Sequence, residues 1–208
     1  MTVGSDPSYW FQYVNSLTLI FGDIMDKTAL ILVDIQNDYF PGGKMTLEGV
    51  EPASANAARL LQHFRDKRLP VFHVQHLATQ PGATFFLPDT PGCGIHPSVA
   101  PMVDETVIVK HFPNSFRETS LLDQLKKAGV ASVAVGGAMS HMCIDATVRA
   151  ACDLGFQCLV AHDACATRAL TFGQETAPAA KVHAAFMAAL SAAYAQVLST
   201  QELIQKIA

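Results

Sequence analysis

Three residues that lie far apart in the chain carry side chains that could together do covalent chemistry: Asp34, Lys110 and Cys143. A thiol near a helix N-terminus with an ammonium close by has its thiolate favoured by the helix dipole and by the neighbouring charge. A carboxylate beside it can take the thiol proton, and an ammonium near that carboxylate keeps the acid–base pair poised. Cys143 is then a candidate nucleophile, Asp34 its proton acceptor and Lys110 the charge partner. Taken singly, each has an ordinary alternative. Cys143 would be a small buried hydrophobe on a helix running from His141 to Leu154, Asp34 a turn or cap residue at a strand end, and Lys110 a solvated charge.

The elements around them decide whether the three can meet. Ala29 to Val33 is a continuous apolar run closed by Asp34, the pattern of a strand buried on both faces of a parallel sheet. Similar runs at Val71 to Val74, Thr106 to Val109, Ser132 to Gly136, Gln157 to Ala161 and Ala195 to Ser199 bring the expected strands to six. Between them, Ala53 to Lys67, Ser120 to Ala128 and the Ala-rich Thr176 to Ala193 read as helices, with Gly129 and Gly155 placed as C-caps. Strand–helix alternation with short connections predicts an α/β fold with a doubly wound sheet. Asp34 ends the first strand, Lys110 ends the third, and Cys143 follows the fourth across the turn from Gly136 to Met142. All three therefore fall on the carboxyl edge of the sheet, where open α/β sheets collect ligands. One long Pro- and Gly-rich stretch, Leu77 to Glu105, reads as a lid or binding loop.

Composition narrows the partners. The chain has 208 residues, half of them hydrophobic and 15% charged, enough for one well-filled domain. Fourteen Lys and Arg against 18 Asp and Glu leave a net charge of -4 with no basic stripe, which argues against nucleic acid or an anionic membrane and for a small-molecule ligand. Five cysteines without a CxxC pair read as free thiols in a reducing cytoplasm. His73 and His76, three apart on a strand, point to opposite faces, which argues against a structural zinc site. Residues 1–24 carry no Lys or Arg and no uninterrupted apolar span, so they read as neither a signal peptide nor a membrane helix. They are expected to be an N-terminal extension outside the fold, with an arm packed on a neighbouring subunit as the alternative, and residues 25–208 to form one domain.

Three motifs in order carry a resemblance. The runs Leu30-Ile-Leu-Val-Asp34-Ile-Gln36-Asn37-Asp38-Tyr39-Phe40, Val107-Ile-Val-Lys110 and Gly136-Gly-Ala-Met139-Ser-His141-Met142-Cys143-Ile-Asp-Ala-Thr147 are similar to those of the isochorismatase-like cysteine hydrolase superfamily. Asp163-Ala-Cys165-Ala-Thr167 also resembles the family's segment after the fifth strand, although His162, Asp163 and Cys165 are read here as a turn closing that strand rather than as a second catalytic group. The resemblance implies a three-layer Rossmann-like fold with a six-stranded parallel sheet flanked by helices, and an Asp34, Lys110 and Cys143 triad. It also implies a cis peptide before Met139, with the backbone N–H groups of Met139 and Cys143 forming an oxyanion hole. The implied reaction is hydrolysis of an amide-like C–N bond through a cysteine thioester, without a cofactor, in a homo-oligomer of two or four chains to which the Ala-rich helix could supply an interface.

Departures from relatives refine this. Where nicotinamidases of the superfamily carry an Asp-x-His metal motif after the second strand, this chain has His73-Val-Gln-His76-Leu-Ala-Thr, so no metal is expected and nicotinamide is a doubtful substrate. True isochorismatases cleave a vinyl ether and can dispense with the cysteine, so the presence of Cys143 favours C–N hydrolysis over that reading; a catalytically idle member that binds a small molecule or serves as a subunit of an assembly is the third reading. Phe85, Phe86, His111, Phe112, Phe116, His141 and Met142 are the candidate pocket walls, with core or loop packing as the alternative for the phenylalanines. Such a wall suits a small neutral amide or ureido compound.

Overall fold

The computed structural model describes residues 28–207; the expectation for residues 1–24 lies outside them. Strand β1 (Thr28–Val33) is buried along its whole length, as its unbroken apolar run requires. It is followed by helix α1 (Val50–Asp66), β2 (Val71–His76), β3 (Thr106–Lys110), α2 (Leu121–Lys127), β4 (Ser132–Ala138), α3 (Asp145–Asp153), β5 (Gln157–Ala166), β6 (Leu170–Phe172), β7 (Glu175–Ala177), α4 (Ala179–Ala193), β8 (Gln196–Leu198) and α5 (Thr200–Lys206). Six strands form one parallel sheet in the order β3-β2-β1-β4-β5-β8.

The sheet separates two apolar layers. On one face Leu30 and Leu32 of β1 pack with Leu60, Leu61 and Phe64 of α1 and Leu203 of α5. On the other, Ile31 and Val33 meet Leu121 and Leu125 of α2, Val148 of α3 and Leu190 of α4. The alternation of side chains along each strand sorts the residues between the layers. In β3, an edge strand, Ile108 and Lys110 turn inward while Val107 and Val109 are exposed. Lys110 therefore enters the protein because it lies two residues after Ile108.

Several boundaries differ from the sequence reading. Strand β2 runs two residues past Val74, to His76. Strand β5 continues to Ala166 because its pairing with β4 shifts register between Val135 and Gly137 and then resumes; Cys165 thus lies within a strand, not in a turn after it. The helix expected from Thr176 starts at Ala179, because residues 175–177 pair with residues 170–172 in a short antiparallel hairpin. The helix expected from His141 begins instead as one wide turn, Ser140–Ile144, in which the N–H groups of both Met142 and Ile144 donate to the Met139 carbonyl. Gly129 and Gly155 end their helices with positive φ, as expected. The five cysteines are free thiols.

Candidate active site

The site is assembled where the strand order reverses, between β1 and β4, with β2 and β3 contributing from one side. The chain leaves β1 at Asp34 with a left-handed backbone, φ 54°, a conformation that aspartate tolerates better than most residues. Beside it, β4 comes so close that a Cβ at Gly137 would collide with the Val33 carbonyl, and Gly137 itself has φ 133°. No other residue fits that approach. The Ala138–Met139 peptide is cis, the bond at which the resemblance places one, and the wide turn that follows carries Cys143.

Side-chain hydrogen bonds secure this turn. Ser140 Oγ lies 2.8 Å from His183 Nδ1 on α4, and His141 Nδ1 lies 2.6 Å from Thr167 Oγ1. Thr147 Oγ1, one turn beyond Cys143, accepts from the Ser115 backbone N–H at 3.1 Å. The segment after Lys110 is thereby tied to the helix that follows the cysteine.

Asp34, Lys110 and Cys143 do converge. The Lys110 ammonium lies 2.7 Å from Asp34 Oδ2 and 3.2 Å from Cys143 Sγ. Both charged side chains are fully buried, and Cys143 is 5% exposed. Burial alone would lower the Lys110 pKa, yet the Asp34 carboxylate in contact with it helps hold it above the ordinary value. Asp34 Oδ2 is held by the ammonium, while Oδ1 has no hydrogen-bond partner among the described residues.

The thiol differs from the sequence reading, which favoured a thiolate. Burial and the Asp34 carboxylate push the Cys143 pKa up, and together they outweigh the Lys110 ammonium. The resting group is S–H. The site therefore places a neutral thiol against the buried Asp34–Lys110 ion pair.

The surrounding residues sort as follows. Phe86 is buried with its ring 4.6 Å from that of Tyr39, and Phe85 is 4.9 Å from Phe86. The Phe112 carbonyl accepts from Lys110 Nζ at 3.1 Å while the Phe112 ring lies beneath the Arg117 guanidinium. His111 Nδ1 is 2.8 Å from the Leu77 carbonyl, which ties the residue after β3 to the start of the long loop. Met142 is 43% exposed beside the nearly buried Cys143. Phe116 turns away from this group and packs on Phe156 in the apolar layer. A surface cleft of about 630 Å³ lies between residues 37–44 and 84–92, with Asn37, Lys44 and Phe85 in its wall, and contains none of the three converging residues.

Two residues near the triad were not assigned to it from sequence. Tyr39 is buried, and burial together with the nearby Asp34 carboxylate raises its pKa. His76 places Nδ1 at 3.0 Å from Lys110 Nζ. The ligand atoms of Asp34, His76 and Cys143 lie within 4.8 Å of one another, a spacing a metal ion could use. Here the Lys110 ammonium lies within 3.2 Å of all three residues, so a positive charge already sits among these ligand atoms.

A doubly wound α/β sheet with aspartate, lysine and cysteine joined at its carboxyl edge defines a class of hydrolase, and comparison identifies the family. The isochorismatase domain profile matches residues 28–202, and the chain belongs to the isochorismatase family. It is 54% identical over 178 residues to the isochorismatase family protein YddQ of Bacillus subtilis, covering 86% of this chain and 99% of that protein. A crystal structure of an isochorismatase hydrolase from Oleispira antarctica superposes with a TM-score of 0.84 at 54% identity, over 86% of this chain and 97% of that one. A more distant relative is maleamate amidohydrolase of Pseudomonas putida, 27% identical over 87% of each chain.

Proposed function

We propose that this hydrolase cleaves an amide-like C–N bond of a small molecule through a covalent thioester on Cys143. The observation that carries the reading is the fully buried Lys110 ammonium in contact with both Asp34 Oδ2 and Cys143 Sγ. Vinyl ether hydrolysis has no use for a sulfur held in that position. Amide hydrolysis is also the activity named for the maleamate amidohydrolase relative.

The cycle uses one proton shuttle. Cys143 Sγ attacks the substrate carbonyl carbon as its proton passes to Asp34, and the carbonyl electrons move onto the oxygen. Backbone N–H groups of Met139 and Cys143 are the donors for that oxyanion, each such donor typically contributing about 3 kcal/mol. The C–N bond then breaks, the leaving nitrogen takes the proton from Asp34, and ammonia or an amine departs. Water adds to the thioester while giving a proton to Asp34. Cleavage of the C–S bond releases the carboxylic acid, and the sulfur recovers its proton. Throughout, Lys110 offsets the charge that alternates between carboxylate and sulfur.

The experiment is a panel of small amides, ureides and carbamoyl compounds assayed for ammonia or amine release. Cys143→Ala is expected to lose turnover by a factor of hundreds or more. Turnover retained in that variant would overturn the covalent route.

A further inference from the structure

We infer that His76 is a positioning residue for this reaction: its Nδ1 anchors the Lys110 ammonium while Asp34 and Cys143 change their charge. The inference rests on the thiol chemistry proposed above. Four acceptors converge on Lys110 Nζ: Asp34 Oδ2 at 2.7 Å, His76 Nδ1 at 3.0 Å, the Phe112 carbonyl at 3.1 Å and Cys143 Sγ at 3.2 Å. An ammonium only donates, so Nδ1 must accept and the proton of the neutral ring sits on Nε2. His76 is therefore not a base toward substrate through Nδ1.

The need for such an anchor follows from the reaction itself. When sulfur bonds to carbon and Asp34 becomes protonated, two of the four acceptors weaken in the same step. The ammonium is fully buried, so contacts weakened there are costly unless its other partners stay in place. His76 Nδ1 and the Phe112 carbonyl are the two partners that do not take part in bond making. They hold Nζ in place until the carboxylate and sulfur return.

The structure holds His76 firmly. It pairs with Lys110 in the β2–β3 register. Its backbone N–H donates to Gln36 Oε1 at 2.7 Å, and its carbonyl accepts from Gln36 Nε2 at 2.9 Å. Gln36 is fully buried, and its Nε2 also donates to the Cys93 carbonyl. The imidazole ring lies 5.9 Å from that of Phe86.

The test compares His76→Ala, His76→Asn and His76→Gln in two assays. One is turnover of whichever amide the panel identifies. The other is alkylation of Cys143 by iodoacetamide, followed by mass spectrometry, which needs the same thiol deprotonation but no amide activity. An Asn carboxamide can place its oxygen near the Nδ1 position, whereas Gln reaches toward the Nε2 position. His76→Ala is expected to lower kcat by about tenfold or more with KM held to about twofold, to slow alkylation in parallel, and to be largely rescued by Asn but not by Gln. Rates within about twofold of the parent in the folded Ala variant would overturn the inference. Should the Ala variant not fold, equal rates for Asn and Gln would do the same. If the parent protein turns over no amide while alkylation still follows the Ala, Asn and Gln pattern, the amide reading fails and the role of His76 stands.

Discussion

At the scale of residues, the site is a buried ion pair joined to a neutral thiol. Removing one member of a buried pair leaves the other charge without compensation, typically at a cost of about 3–5 kcal/mol, whereas removing both charges often restores stability. Lys110→Met should therefore lower the urea midpoint strongly, and the double variant Asp34→Asn with Lys110→Met should recover most of that loss while remaining inactive. A double variant as unstable as the single one would show that the ion pair is not what Lys110 contributes to folding. The same burial bears on Cys143. A reactive thiolate was the sequence reading, yet the carboxylate needed to accept its proton also opposes its ionisation. Alkylation of Cys143 near neutral pH should therefore be slower than that of an exposed thiol in the intact protein; labelling at the exposed-thiol rate or faster would show that the sulfur ionises more easily than its surroundings imply.

At the scale of elements, the long segment between β2 and β3 is pinned at its far end by a charge cluster on Glu105. Its carboxylate meets Arg65 Nε at 2.7 Å and His73 Nε2 at 2.9 Å, and accepts the Met102 backbone N–H at 2.8 Å. The hydrogen bond from Arg65, reinforced by those from Met102 and His73, overcomes burial and moves the Glu105 pKa from 4.5 to about 2. A depressed folded-state pKa means stability present above the unfolded value and lost as pH falls toward the folded one. Glu105→Gln should accordingly lower Tm at pH 6, and the gap to the parent should shrink between about pH 4.5 and pH 2. A gap independent of pH would remove the charge from the explanation. Near the other end of the segment, the Asp38 carboxylate accepts the backbone N–H groups of Phe86 and Lys44. The aromatic pair Phe85 and Phe86 is thereby fixed against Tyr39.

At the scale of the whole molecule, one sheet divides two apolar layers, and the site sits at its carboxyl edge, where both sides of the strand order contribute. Leu60 of α1 and Leu125 of α2 are fully buried on opposite faces of this sheet. Each Leu→Ala change should cost about 2–5 kcal/mol, and because the two share no layer their effects should add within about 0.5 kcal/mol. Marked non-additivity in urea unfolding would mean that the sheet transmits strain between the layers.

The sequence by itself determined the strand–helix alternation, the six parallel strands, and the placement of Asp34, Lys110 and Cys143 on one edge. These depend on local patterns: unbroken apolar runs, their spacing, and the strand ends where charged or reactive residues appear. Tertiary structure alone decided the protonation of the thiol, since the balance between burial, carboxylate and ammonium depends on distances that spacing does not encode. It also brought in His76. The apolar run of β2 stops at Val74, but backbone pairing with β3 carries the strand two residues further and sets the imidazole opposite Lys110. The hairpin at residues 170–177 was equally hidden, because its exposed side chains carry no burial pattern and its strands exist only through each other. Pairing and desolvation are properties of chain segments in contact, and they arise only once the fold has brought those segments together.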